Sequence, residues 1–256
     1  MFPRKSARYA ATGVLAALLM AAGSAANAQK KSSIPGKFSA NVALTSEYLF
    51  RGLSQTDDAP AIQGGFDYEI GVGGPVSLYL GTWASNVDFN EPGAVDGATV
   101  EIDLYGGLKG KVGRSGFSWD AGLIYYSYPG AASGLDYDYW EVQGTVWYDF
   151  GFLVAFGGLN YSTENFGDSG EAVYIKVGAD FPIKSIKGLS LSGYIAQQYV
   201  EDNAAFGTED YIEYNVGVTY NLAGLFDVSV NYSDTDISPD VEGKDEAIIV
   251  TVGRTF

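Results

Sequence analysis

From Lys37 to the C-terminus, apolar and polar residues alternate in short runs separated by links rich in Gly, Pro, Asn and Asp. A period of two is the mark of a pleated strand with unlike faces, and it favours strands over helices throughout. The clearest run is 99–109, with Val100, Ile102, Leu104, Gly106 and Leu108 on one face and Thr99, Glu101, Asp103, Tyr105 and Lys109 on the other. Residues 38–50 repeat the pattern, with Phe38, Ala40, Val42, Leu44, Tyr48 and Phe50 set against Ser39, Asn41, Thr45 and Glu47. So do 62–70, 117–126, 139–149, 172–181, 189–198, 211–221, 226–232 and 246–256. Residues 76–86 and 152–161 are strand-like but apolar on both faces, which leaves their registers open. The expectation is twelve strands. Proline agrees, because Pro60, Pro75, Pro92, Pro129, Pro182 and Pro239 fall at run ends or between runs, where no ladder donor is lost.

The links alternate in kind. Those at 51–60, 86–97, 128–138, 162–171, 200–210 and 233–246 are longer and hold 20 of the 31 acids. The intervening links at 71–75, 110–116, 150–151, 182–188 and 222–225 are shorter and include Lys111, Arg114, Lys184 and Lys187. Short turns at one end and longer loops at the other are expected of an all-β, antiparallel up-and-down transmembrane β-barrel with both termini on the turn side. The apolar faces run the length of nearly every strand, with Tyr48, Phe50, Phe66, Tyr68, Phe117, Trp119, Trp140 and Tyr148 near strand ends, where interfacial girdles sit. Runs of ~9–11 residues match the span a tilted strand needs. An exported soluble β-protein with its apolar face inward is the alternative.

Residues 1–28 read as a secretory signal peptide. Arg4, Lys5 and Arg8 precede an apolar run over 10–22, and Ala26-Asn27-Ala28 sets a cleavage site before Gln29. A short tail over 29–36 leads into a barrel domain over 37–256. Removing 1–28 leaves 12 bases against 31 acids, a net charge of −19. The chain ends on Phe256 in an alternating strand, a terminus suited to the outer-membrane barrel assembly machinery, although Arg254 interrupts the apolar face and is expected to snorkel.

Composition removes whole classes of function. The chain has no Cys and no His, so disulfides, thiolate nucleophiles, the Ser-His-Asp apparatus and the usual zinc sites are absent. No enzyme activity, cofactor or metal is expected. An acidic surface also makes nucleic acid a poor partner. Acid pairs such as Asp234 with Asp236 and Asp240 with Glu242 lack the EF-hand spacing.

The polar face places Glu47, Asp67, Glu69, Glu101, Asp103, Asp120, Glu141, Asp180, Glu213 and Asp227 toward a lumen, with Lys109 and Lys176 as its bases. An open passage with such walls favours cations. The leading expectation is a porin-like outer-membrane channel for passive diffusion of small hydrophilic solutes. The alternatives are a packed, salt-bridged interior and a non-conducting barrel that acts through its acidic external loops. Tyr105, Tyr126, Tyr139 and Tyr194 would narrow the lumen. Arg51, Asp57 and Asp58 are expected at the external mouth, where Arg51 either steers an anionic group or pairs with those aspartates or a lumen acid. Lipid, lipopolysaccharide and small hydrophilic solutes are the expected partners.

Several blocks also resemble the TorF porin family of proteobacterial outer-membrane proteins. They are Asn41–Thr56 (NVALTSEYLFRGLSQT), Pro60–Tyr68 (PAIQGGFDY), Gly81–Phe89 (GTWASNVDF), Glu101–Gly107 (EIDLYGG) and Leu123–Gly130 (LIYYSYPG). The resemblance spans about residues 38–256 and implies an outer-membrane barrel in a Gram-negative bacterium, with transport as the implied activity.

Overall fold

A computed structural model describes residues 34–89, 97–237 and 246–256. The expected signal peptide, the cleavage site expected before Gln29, the first part of the tail and the acids Asp240 and Glu242 lie outside the described residues. The elements are β1 (Lys37–Thr45), β2 (Leu49–Phe50), β3 (Leu53–Ser54), β4 (Ala61–Gly73), β5 (Val76–Asn86), β6 (Val100–Lys111), β7 (Phe117–Ser127), β8 (Tyr139–Asp149), β9 (Val154–Ser162), β10 (Ala172–Pro182), β11 (Leu189–Val200), α1 (Asn203–Phe206), β12 (Tyr211–Leu222), β13 (Phe226–Thr235) and β14 (Ala247–Thr255).

Twelve of these strands pair antiparallel with their chain neighbours, and β14 closes on β1. Closure runs from Asn41 opposite Thr255 to Thr45 opposite Thr251. A closed wall satisfies every strand's backbone donors and acceptors without leaving an edge. Among the described residues no helix is long and apolar enough to cross a membrane. A crossing would therefore fall to the strands.

The wall is built inside out relative to a soluble sandwich. Ile62, Phe66, Leu104, Trp140, Val216 and Ile248 are each more than half exposed, and they occupy the outward positions of their strands. The two open registers are resolved. In β5, Leu78 and Leu80 point outward while Tyr79 is buried inside; in β9, Leu159 points outward beside inward Asn160. Both strands looked apolar on each face because the interior accepts aromatics. Inward Gly81 leaves room for the Tyr105 ring, which a Cβ there would strike. Arg254 faces outward with its guanidinium 5.7 Å from the Phe226 ring centroid and 4.7 Å from that of Phe256, so two aromatic faces carry the cation.

The outward position of Val250, opposite Val230 on β13, sets a test of this wall. Val250→Arg is expected to lower folding stability in lipid vesicles by ~2–4 kcal/mol, the cost of a cation on the lipid face near the midplane. Denaturant titration of the refolded protein measures it, and an unchanged midpoint would reverse the face assignment.

The first strand departs from expectation. Residues 38–50 read as one strand with Tyr48 and Phe50 outward, but β1 ends at Thr45, whose hydroxyl donates to the Glu47 carbonyl at 2.8 Å. The chain then turns into the barrel, and Tyr48 and Phe50 are buried there. Tyr48 N–H donates to Thr56 Oγ1, and Gln55 N–H donates to the Tyr48 carbonyl, so this segment pairs with itself. At the tip of the β2–β3 hairpin, Arg51 (φ 49°) and Gly52 (φ 79°) both take left-handed backbone, as a two-residue type I′ turn requires.

The apolar core sits at one end of the barrel. Phe50, Leu53, Phe89, Tyr128, Tyr139, Phe166 and Phe206 pack together where the longer links emerge. Tyr137 stacks on Phe166 at 4.3 Å and 14°. Helix α1 brings Phe206 into this cluster, capped by Asp202, whose carboxylate accepts from Ala204 N–H and Ala205 N–H. The opposite end, where the short turns lie, has no comparable cluster among the described residues.

Candidate functional site

The β2–β3 hairpin leaves the wall between β1 and β4 and crosses the lumen. Its tip meets β8, β10, β11 and β12, on the far side of the barrel order. Arg51 Nη2 donates to both oxygens of Glu141 at 2.7 Å, and Nη1 donates to Gln198 Oε1 at 2.9 Å. The guanidinium carbon lies 4.4 Å from the Tyr174 ring centroid and 4.7 Å from that of Phe50. Tyr211 Oη donates to the Arg51 carbonyl at 2.9 Å. Glu141 also accepts from Asn160 Nδ2 at 2.9 Å and Tyr126 Oη at 3.2 Å. Gly52 has no room for a side chain, because a Cβ would meet the Thr235 methyl group.

Electrostatics explain why a buried arginine is tolerated here. Burial alone would lower the Arg51 pKa, but the Glu141 carboxylate acts against it and prevails, so the group is held above its ordinary value. The guanidinium therefore stays charged. Burial, then the charges of Glu101 and Asp103, push the Tyr48 phenol well up. Tyr48 is thus held as a donor, and it donates to Glu101 Oε1 at 3.2 Å.

The expected lumen acids fall into two groups. Glu101, Asp103, Glu141 and Glu213 face inward at the longer-link end and are almost wholly buried, together with Lys176. Glu213 accepts from Tyr174 Oη and Tyr194 Oη, each at 2.6 Å. These residues were expected to line an open passage; instead the hairpin and the aromatic cluster cover them. Asp67, Glu69, Asp120, Asp180 and Asp227 also face inward, from mid-wall toward the turn end, and are only partly buried. Tyr105 Oη donates to Asp67 and Tyr79 Oη to Asp120, both at 2.7 Å, and Lys109 pairs with Glu69 at 2.8 Å.

The mouth residues separate as well. Asp57 and Asp58 are exposed at the turn leading to β4, with φ of 52° and 60°. Arg51 is not at the external mouth but inside the lumen, on a lumen acid. Glu47 is not on a wall strand; it occupies the bend after β1. Sequence reasoning missed Gln198, Tyr174 and Tyr211 as partners of the hairpin, and Asn160 as a second partner of Glu141. The available signal was Arg51-Gly52, two residues placed to reverse a chain, directly after the run read as the first strand. Among the described residues no group of three or more acids gathers as a metal site.

The closed barrel and its internal hairpin give the terms for comparison. A family model described as a bacterial protein of unknown function, Gcw_chp, matches residues 28–256. The chain belongs to the Gcw_chp family. No curated protein matches this Gcw_chp chain in sequence. Among solved structures, the KdgM porin is similar with a TM-score of 0.56 at 10% identity, covering 85% of this chain and 98% of that one. An outer-membrane channel from Pseudomonas putida F1 gives 0.53 at 11%, covering 88% and 97%. The NanC porin gives 0.52 at 9%, covering 86% and 98%. At these identities the likeness is one of fold: the Gcw_chp barrel has the architecture of outer-membrane porin channels.

Proposed function

We propose that this Gcw_chp protein is an outer-membrane channel of the porin type, passing small hydrophilic solutes with a preference for cations. The observation that carries the reading is the lumen itself. Its turn-side half presents Asp67, Glu69, Asp120, Asp180 and Asp227 against Lys109, and the β2–β3 hairpin crosses it to the far wall. A wall of one charge sign concentrates counter-ions and biases permeation toward them. The porin-type fold, the exposed apolar belt and the resemblance of Asn41–Thr56 to the TorF porins support the same reading. Export by the 1–28 signal peptide, assembly through the strand ending at Phe256, and surroundings of lipid and lipopolysaccharide belong to it.

The test is single-channel conductance of the refolded mature chain in a planar bilayer under a salt gradient. Discrete steps with a cation-favouring reversal potential are expected; an electrically silent, fully folded barrel would overturn the reading. Asp67→Asn combined with Asp180→Asn is expected to move the reversal potential toward zero with the barrel intact, and an unchanged potential would remove these two from the permeation path. A second reading, a closed barrel that acts through its external loops, is favoured by the aromatic cluster at the longer-link end. Silence in the bilayer would select it.

A further inference from the structure

The lumen wall contains two carboxyl groups that the Arg51 network leaves out. Glu101 and Asp103 are successive inward residues of β6, fully buried, and close enough to act on one another electrostatically. Neither oxygen of Asp103 meets a donor from elsewhere in the protein, nor does Glu101 Oε2. The Glu101 carboxyl is reached by the Tyr48 phenol at 3.2 Å and by Tyr128, and it lies within hydrogen-bond reach of Asp103. Arg51 offers no relief, because it is spent on Glu141 and Gln198. Two facing buried carboxylates without a counter-charge are strongly disfavoured, so the pair is neutralised either by a proton shared between them or by a bound cation.

We propose that Glu101 and Asp103 form a binding site for a divalent cation of the calcium type. The donor set is entirely oxygen, which selects a hard cation over a soft one. Two carboxylates balance a double charge, and each can bind bidentately, as the flexible coordination of calcium permits. The Tyr48 phenol oxygen stands beside the pair at 3.2 Å from Glu101 Oε1. Two carboxylates make a sparser site than a dedicated cage, so affinity comes from burial more than from ligand number. The site ties the ion to the hairpin, because Tyr48 stands at the hairpin's base. It also stands whether or not the barrel conducts.

Trp83 is opposite Asp103 in the β5–β6 register, and its ring packs edge-on to Tyr48 at 5.5 Å. It is therefore placed to sensitise luminescence from a terbium ion at the site. The refolded mature chain is titrated with terbium, then calcium is added as competitor. The expected result is tryptophan-sensitised emission that calcium displaces and that Asp103→Asn with Glu101→Gln reduces at least tenfold. Asp57→Asn with Asp58→Asn, on the exposed turn, is expected to leave it unchanged. If the double lumen variant does not fold, Trp83→Phe serves: with excitation at the long-wavelength edge, where tryptophan and not tyrosine absorbs, it is expected to lose the sensitised emission while calcium binding measured calorimetrically persists. No calcium-displaceable emission and no calorimetric binding would mean that protons neutralise the pair and would overturn the site. Emission that survives loss of both carboxyls in a folded barrel would assign it to the loops and overturn the site equally.

Discussion

Replacing residues 46–60 by a two-residue Asn-Gly link is expected to raise single-channel conductance severalfold. The wall tolerates the change because Thr45 and Ala61 are directly opposed in the β1–β4 ladder, which is the spacing that a tight hairpin closes. The whole β1–β4 pairing, from Lys37 opposite Glu69 to Thr45 opposite Ala61, lies outside the excised segment. What disappears is the bar across the lumen: Phe50, Arg51 and Leu53, all buried against the far wall and the aromatic cluster. Glu141 loses its partner, but the opened lumen admits water to solvate it, so the cost of an uncompensated buried charge does not arise. Conductance equal to that of the parent, in a barrel that still shows heat-modifiable migration, would place the constriction elsewhere, at the cluster of Phe89, Tyr128, Tyr137 and Phe166.

The same hairpin marks where sequence reasoning stops. Twelve wall strands are readable because each presents an apolar face to the outside and alternation survives any register of its neighbours. Inward placement of Asp67, Glu101, Asp120, Glu141, Asp180 and Glu213 follows from parity alone. The bend after Thr45 is invisible because Glu47, Tyr48 and Phe50 keep the parity of the preceding strand while the chain leaves the wall. Alternation reports that two faces differ; it does not report which medium each face meets. Tyr48 and Phe50 are apolar-facing in either case, toward lipid in a strand and toward an aromatic cluster in the hairpin. The division of the acids into covered and hydrated groups is equally non-local. Glu141 is buried because Arg51, ninety positions earlier, reaches across the lumen to it, and no local pattern around Glu141 encodes that. Tyr79 in β5 and Phe156 in β9 obscured their strands for a related reason, since inward aromatics cancel the contrast on which the reading depends.

Glu141→Ala is expected to destabilise the barrel by about 3–5 kcal/mol, the cost of leaving one member of a buried ion pair without its partner. Two responses compete. Arg51 can remain in place, keeping its Gln198 bond and its contacts with Tyr174 and Phe50, or the hairpin can swing out toward water. Swinging out exposes Tyr48, Phe50 and Leu53, each buried to within a few percent, at roughly 1.5–3 kcal/mol per side chain. The three together exceed the ion-pair penalty, so the hairpin stays and the cost appears as lost stability, read from denaturant titration in lipid vesicles. Conductance should then change little. Arg51→Met combined with Glu141→Leu removes both charges and is expected to recover most of the loss, because an apolar pair of similar volume replaces a buried ion pair at little or no cost. If Glu141→Ala instead raises conductance with an unchanged unfolding midpoint, the hairpin is held by the ion pair and not by its aromatic anchors. Such a result would also identify the Arg51–Glu141 bridge as the latch of a movable gate.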